Sequence, residues 1–167
     1  MSFQQDQTKH LLTQADYYKY EIAHVPEDKL TWKPHEGTLS ALEQIDHLAA
    51  VNDYFVERGK GNSQAEFHQR PPSASLEAAL SRFDESVNNA VNVIQGFSDK
   101  ELDEFLPTSD GASSVSRRYL LTVPAFHISY HWGQLCMMQT MWGDNEFHLL
   151  NDDSPYAKRY DISKVKV

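Results

Sequence analysis

Between Leu76 and Ile94 six large apolar residues, Leu76, Leu80, Phe83, Val87, Val91 and Ile94, recur at separations of four, three, four, four and three positions. A strand sends alternate side chains to opposite faces and cannot use this spacing. A helix of 3.6 residues per turn gathers all six into one stripe. The segment from about 75 to 95 is therefore predicted to be a helix with one face that other elements must cover, and Gly96 is its stop.

The covering elements carry the same kind of signal. Leu11, Leu12, Tyr18 and Ile22 sit at helical spacing in a segment from about 3 to 24, which ends where Val25-Pro26 discourages continuation. Ser40 and Glu43 have capping-box spacing, in which each side chain satisfies the other's free backbone N–H. They open a second helix that stops at Gly59. A fourth helix is expected from Ser114 or Ser116 to Trp142, with Gly143 behind it as a stop. Pro124 lies inside that span and predicts a kink or a late start. Ser98 and Glu101 predict one short extra turn. Strand signals are scarce, since alternating runs bounded by hairpin dipeptides are missing. The long connection "GKGNSQAEFHQRPPSAS" separates the second and third helices. The fold class expected is all-α: a four-helix bundle with a long crossover between helices 2 and 3. One domain is expected over residues 1–167, with an irregular C-terminal arm from about 144 to 167.

Composition narrows the function classes. A chain of 167 residues with 40% hydrophobic content can bury a sizeable core. Its net charge of -9 opposes a phosphate backbone, and no basic tract of five or more interrupts it. No nucleic-acid partner is expected, and Arg117-Arg118 reads as a solvated helix turn. No apolar run approaches a membrane span. The polar start "MSFQQDQTKH" predicts no signal peptide. Cys136 is the one cysteine, so no internal disulfide is possible. The expected setting is the cytoplasm.

Eight histidines are present. Most lie at helix ends or in loops on this reading: His10, His24, His35, His68 and His148. The segment "FHISYHWGQL", residues 126–135, is different. His127 and His131 are four apart, on one face of a helix and one turn removed, where two imidazoles can point at one ion. Leu120, Pro124, Gln134 or Leu135, and Met138 lie near the same line, which marks it as the inward face. Two buried imidazoles with no acid nearby in sequence are costly to leave unpaired. A catalytic zinc-type site takes three protein ligands and keeps one position open. His47 is the candidate third ligand, since it sits mid-helix beside the small Ala50. Cys136 lies well around the helix from both histidines and reads as a small packed residue. Met137, Met138 and Met141 read as core packing, and Asp46 as solvated.

At these residues the chain resembles a known family. "LTWKPHEGTLSALEQIDHLAAVNDYF" followed downstream by "HISYHWGQLCMMQTMWG" is similar to the DinB/YfiT-like metalloenzymes. The first block matches a Trp-x-Pro loop leading into a helix with a central histidine and a small-residue run. The second matches a His-x-x-x-His-x-Gly-Gln-Leu segment. The resemblance runs to about Gly143. It implies a four-helix bundle whose metal is held by His47, His127 and His131. It also implies chemistry with low-molecular-weight thiols in some relatives, and homodimers. Many relatives carry Arg or Lys where this chain has Trp132.

Two function classes follow. In the first, the protein is a metal-dependent enzyme. Three neutral imidazoles leave a divalent ion its charge, so that it acidifies a bound water or holds a thiolate. A thiol-dependent S-transferase or a hydrolase acting on a small molecule are both open. Zinc or nickel is expected first, and iron or copper also suits such ligands. Glu43, Tyr54 and Tyr130 are candidate acid–base groups. In the second class, the bundle is a non-catalytic, stress-related binding module with a structural metal or none.

Overall fold

The structure, a computed structural model, describes residues 2–160. Four long helices dominate it: α1 (Phe3–Ile22), α2 (Ala41–Gly59), α3 (Leu76–Gly96) and, after three short elements, α6 (Val123–Met141). The short elements are α4 (Asp99–Leu102), a two-stranded antiparallel hairpin of β1 (Phe105–Pro107) and β2 (Ser114–Ser116), and α5 (Arg117–Leu120). A last turn, α7 (Pro155–Arg159), follows a 3-10 turn at His148–Leu150. Among the described residues no helix is long and apolar enough to cross a membrane.

The helix starts follow from their caps. Ser2, Ser40 and Ser98 each accept from the backbone N–H three residues on, and Gln5, Glu43 and Glu101 reach back to the cap, closing three capping boxes. Ser75 caps α3 through the N–H of Ala78. Pro124 stands in the first turn of α6, where its missing N–H costs nothing, so the fourth long helix starts late and does not kink. Gly143, at φ +92°, ends it, in a conformation that L side chains rarely adopt.

The four long helices form a closed ring of neighbours: α1 lies on α6, α6 on α2, α2 on α3, and α3 on α1. Tyr18, Phe83, Leu11, Ile22, Ile45, Leu48, Ile94, Ile128 and Leu135 are fully buried between them. Tyr18 and Phe83 meet with ring centroids 6.0 Å apart. α2 and α6 run antiparallel, since Gln44 touches Met138 while Gly59 lies against Leu121. A Cβ on Gly59 would stand 2.8 Å from Leu121 Cδ2, so a glycine is what allows that approach. The architecture is the all-α bundle the periodicity predicts.

Several local expectations need correction. Asp46 is not solvated. It is fully buried and accepts from Ser73 N at 2.6 Å, Ser73 Oγ at 2.7 Å and Arg82 Nη1 at 3.2 Å. Arg117 is not a solvated turn either. Its guanidinium is buried and donates to Gly59 O at 2.7 Å and Glu101 O at 2.5 Å, because the C-terminus of α2 and the end of α4 leave carbonyls that need donors. The hairpin was also unforeseen. Its loop turns at Asp110-Gly111, with Gly111 at φ +67° and Asp110 Oδ1 accepting from Thr108 and Ala112.

The C-terminal arm packs against α1. His148 and Leu149 are buried, and the His148 ring stacks on His24 with centroids 4.0 Å apart. The part of the expected arm from 161 to 167 lies outside the described residues.

Candidate metal centre

Helices α2 and α6 carry the three histidines to one point. His47 lies in the middle of α2, and His127 and His131 lie one turn apart on α6. The Nε2 atom of His127 is 3.1 Å from Nε2 of His47 and 3.1 Å from Nε2 of His131. One ligand atom from each ring falls within 4.8 Å of the others. Nitrogens bound to one tetrahedral ion at about 2.1 Å would stand about 3.4 Å apart, so the cluster is close to ligating dimensions.

Proton accounting favours a cation at this point. Gln69, in the crossover, holds its Oε1 2.8 Å from His47 Nδ1, so the ring donates there. A neutral His47 then has a bare lone pair on Nε2, aimed at the other two rings. Burial pushes the pKa of His127 down to about 4, and the nearby His47 adds to the effect. Burial likewise pushes His131 down to about 3, with His127 and His47 contributing after it. Both rings are neutral near neutral pH. A single Nε2 of His127 facing two other ring nitrogens can bond through at most one proton. Three imidazole nitrogens converging in this way fit a divalent ion, and the cluster could hold one.

The cluster forms one end of a cavity of about 470 Å³. Met137, Met138, Met141 and Tyr130 of α6 wall it, and Pro34, Gly37, Thr38 and Leu39 cover it from the loop before α2. Gln44 and Gln134 add amides to the polar groups of Thr38, Tyr130 and the histidines. The methionines are therefore not all core. Met138 is 4% exposed, but Met137 and Met141 are 66% and 54% exposed and face the cavity. Helical spacing explains this: positions 127, 131, 134, 138 and 141 form one stripe, so the line through the histidines runs on into the methionines.

The remaining candidates separate. Tyr130 lines the cavity, with its ring centroid 5.2 Å from that of His131. Glu43 is occupied by its capping box and by Lys33 at 2.7 Å. Tyr54 faces a different cavity, of about 460 Å³, whose walls include Asp53, Glu57, Glu66, His68 and Arg70. Cys136 is half-buried, and burial pushes its thiol up to about 11. Trp132 packs on Tyr17 and Phe147, with centroids 6.0 and 6.1 Å away, and is not among the cavity residues. The missing basic residue at 132 thus belongs to the side facing α1 and the arm. Gln69 was not singled out by sequence, where the one signal was the length of the crossover.

Known proteins place this geometry in context. No curated protein matches the chain. Among solved structures, a DinB-like protein from Bacillus subtilis is similar in fold at a TM-score of 0.66 and 17% identity, over 91% of this chain and 96% of that one. The sequence profile of the DinB superfamily matches residues 9–135, which take in most of α1, all of α2 and α3, and both histidines of α6. The chain therefore belongs to the DinB superfamily.

Proposed function

We propose that the protein is a metal-dependent enzyme acting on a small molecule, with His47, His127 and His131 as the ligands of one divalent ion, zinc or nickel before iron. One observation carries this reading: three imidazole Nε2 atoms converge at the end of a cavity large enough for a substrate. A structural ion would call for a fourth protein ligand and a closed shell. Among the described residues the metal-ligating group has three members, and it borders open space.

A divalent ion held there would lower the pKa of a water or thiol in its coordination sphere, which is the chemistry of a hydrolase or of an S-transferase using a low-molecular-weight thiol. The chain's own residues do the rest. Gln69 orients the His47 ring. The loop from Pro34 to Leu39 and the methionines wall the cavity around the cluster. Tyr130 and Thr38 bring hydroxyls to the cavity, groups that can hydrogen-bond a bound substrate. Among the described residues no carboxylate lines the cavity, so a proton released there would pass to solvent or to the substrate itself.

The test uses protein purified without a metal-affinity tag. Calorimetric titration with zinc is expected to give one ion per chain, lost in His127→Ala and His131→Ala. Metal-loaded protein is then assayed for ester hydrolysis and for thiol transfer to an aryl halide. Absent zinc uptake, or uptake unchanged in both variants, overturns the metal centre. Uptake without turnover in either assay favours the non-catalytic module.

A further inference from the structure

Among the described residues the walls of the histidine cavity carry no Asp, Glu, Lys or Arg. Around the three rings they present thioethers, Tyr130, Pro34, Leu39 and Thr38, with two amides. This is unusual for a chain of net charge -9, and the contrast with the cavity beside Tyr54 is direct, since that one is walled by Asp53, Glu57, Glu66 and Arg70. An anionic ligand body would find no Lys or Arg here, and a cationic one no carboxylate. Either would lose its hydration without a partner. The polarisable, flexible methionines instead suit an apolar body of adjustable shape.

Among the described residues two buried polar atoms of cavity residues are unfinished, His131 Nδ1 within the metal-ligating cluster and, outside it, Gln44 Oε1. Gln44 is 2% exposed and lies one turn before His47 on the same face of α2. Its Nε2 donates to the thioether of Met138 at 3.1 Å, while its Oε1 is buried and has no hydrogen-bond partner among the described residues. A buried amide oxygen is a strong acceptor, and leaving it unpaired is costly. The flexible Met138 side chain beside it is the group a ligand would displace to reach it. An O–H or N–H on that ligand would complete the amide.

We propose that this cavity takes an uncharged, largely apolar small molecule bearing one O–H or N–H donor, and that Gln44 Oε1 is the group that selects for the donor. The inference deepens the enzyme reading above and rests on it for the name substrate. The selection itself belongs to the cavity walls and is present in metal-free protein. It excludes thiols or esters whose bodies carry carboxylates.

Fluorescence titration of metal-free protein with 2-naphthol, 2-methoxynaphthalene and 2-naphthoate tests it. The three share a ring system and differ in offering a donor, no donor, or a negative charge. Wild type is expected to bind 2-naphthol roughly tenfold more tightly than either of the others. In Gln44→Leu the preference of naphthol over the methoxy compound should fall to about one, while affinity for the methoxy compound is kept. Met137→Lys changes an exposed wall residue and should narrow the gap between naphthol and naphthoate. Equal binding of naphthol and the methoxy compound by wild type, naphthoate binding as tight as naphthol, or no binding of any of them overturns the proposal. A preference that survives in Gln44→Leu overturns the role of Gln44. The zinc titration described above is read separately, so loss of metal uptake with naphthol selectivity intact sinks only the metal centre, and the reverse sinks only this inference.

Discussion

Gln69 Oε1 lies 2.8 Å from His47 Nδ1, so a crossover residue fixes the ring orientation of a helix residue 22 positions earlier. An outer hydrogen bond of this kind sets which nitrogen carries the proton and makes the free one a better donor to a metal. Such partners are typically worth about 10–100-fold in metal affinity. Gln69 is exposed, so the low end applies. Gln69→Leu is expected to weaken zinc binding roughly tenfold with little change in melting temperature, as read by competitive titration with a chelating dye. Unchanged affinity would show that His47 needs no outside orientation.

The depressed histidines give metal-free protein a specific acid sensitivity. The folded values for His127 and His131 are about 4 and about 3, against 6.5 when unfolded. Between those values the unfolded chain binds more protons than the folded one, so stability rises with pH across the window and is lost as pH falls below about 6.5. Both rings border an open cavity, which tempers the effect. Thermal melts of metal-free protein at pH 7 and pH 5 should differ by several degrees, on the order of 2–4 °C from these two groups. His131→Ala should melt with a flatter pH dependence over the same interval. An identical slope in the variant would remove His131 as a source.

Asp46 holds the crossover from below. Its carboxylate accepts two bonds from Ser73 and one from Arg82 in full burial. Asp46→Ala leaves a buried backbone N–H and a half-exposed guanidinium without their acceptor. The expected cost is about 2–3 kcal/mol, below the figure for a fully buried ion pair because Arg82 is partly solvated. Urea denaturation measures it. A secondary loss of zinc affinity is expected, since Gln69 sits on the segment that Ser73 anchors.

Arg117 should prove structural. Its buried guanidinium bonds the carbonyls of Gly59 and Glu101 and lies over the Phe97 ring at 4.5 Å. Arg117→Met keeps much of the packing but removes the donors. A loss of about 2–3 kcal/mol is expected, with zinc affinity unchanged, because α5 joins α2 at the end farthest from His47. Zinc affinity falling in parallel with stability would show instead that the two ends of α2 are coupled.

The sequence disclosed the parts of this molecule that local rules govern. The capping serines Ser40 and Ser98, the stripe from Leu76 to Ile94 and the stop at Gly143 depend on neighbours within a few positions. The pair His127 and His131 is local in the same sense, and His47 followed from being mid-helix on a facing element. What stayed hidden depends on distant partners. Asp46 reads as one more helix carboxylate until Ser73 and Arg82 arrive over it. Arg117 reads as a surface charge until the carbonyls of Gly59 and Glu101 are brought to it. Gln69 has no periodicity at all. The exposure of Met137 and Met141 was misread because an apolar residue near an inward stripe looks the same whether a cavity or a neighbouring helix lies beyond it. Only the hairpin had a local mark, the Asp110-Gly111 pair, and it lacked the alternating flanks that would have made it stand out.

His47 and His127 are 80 positions apart in the chain yet touch through their ring nitrogens. An unfolded chain can offer an ion little more than the pair on α6, a two-toothed grip with no preset helix to align it. The third tooth arrives only when α2 docks antiparallel on α6. Whatever ion the cluster takes would then act as a clasp on the long-range contact between α2 and α6. Its supply would shift the balance between closed and open chains by mass action. The cell's metal level would set how long the folded protein lasts.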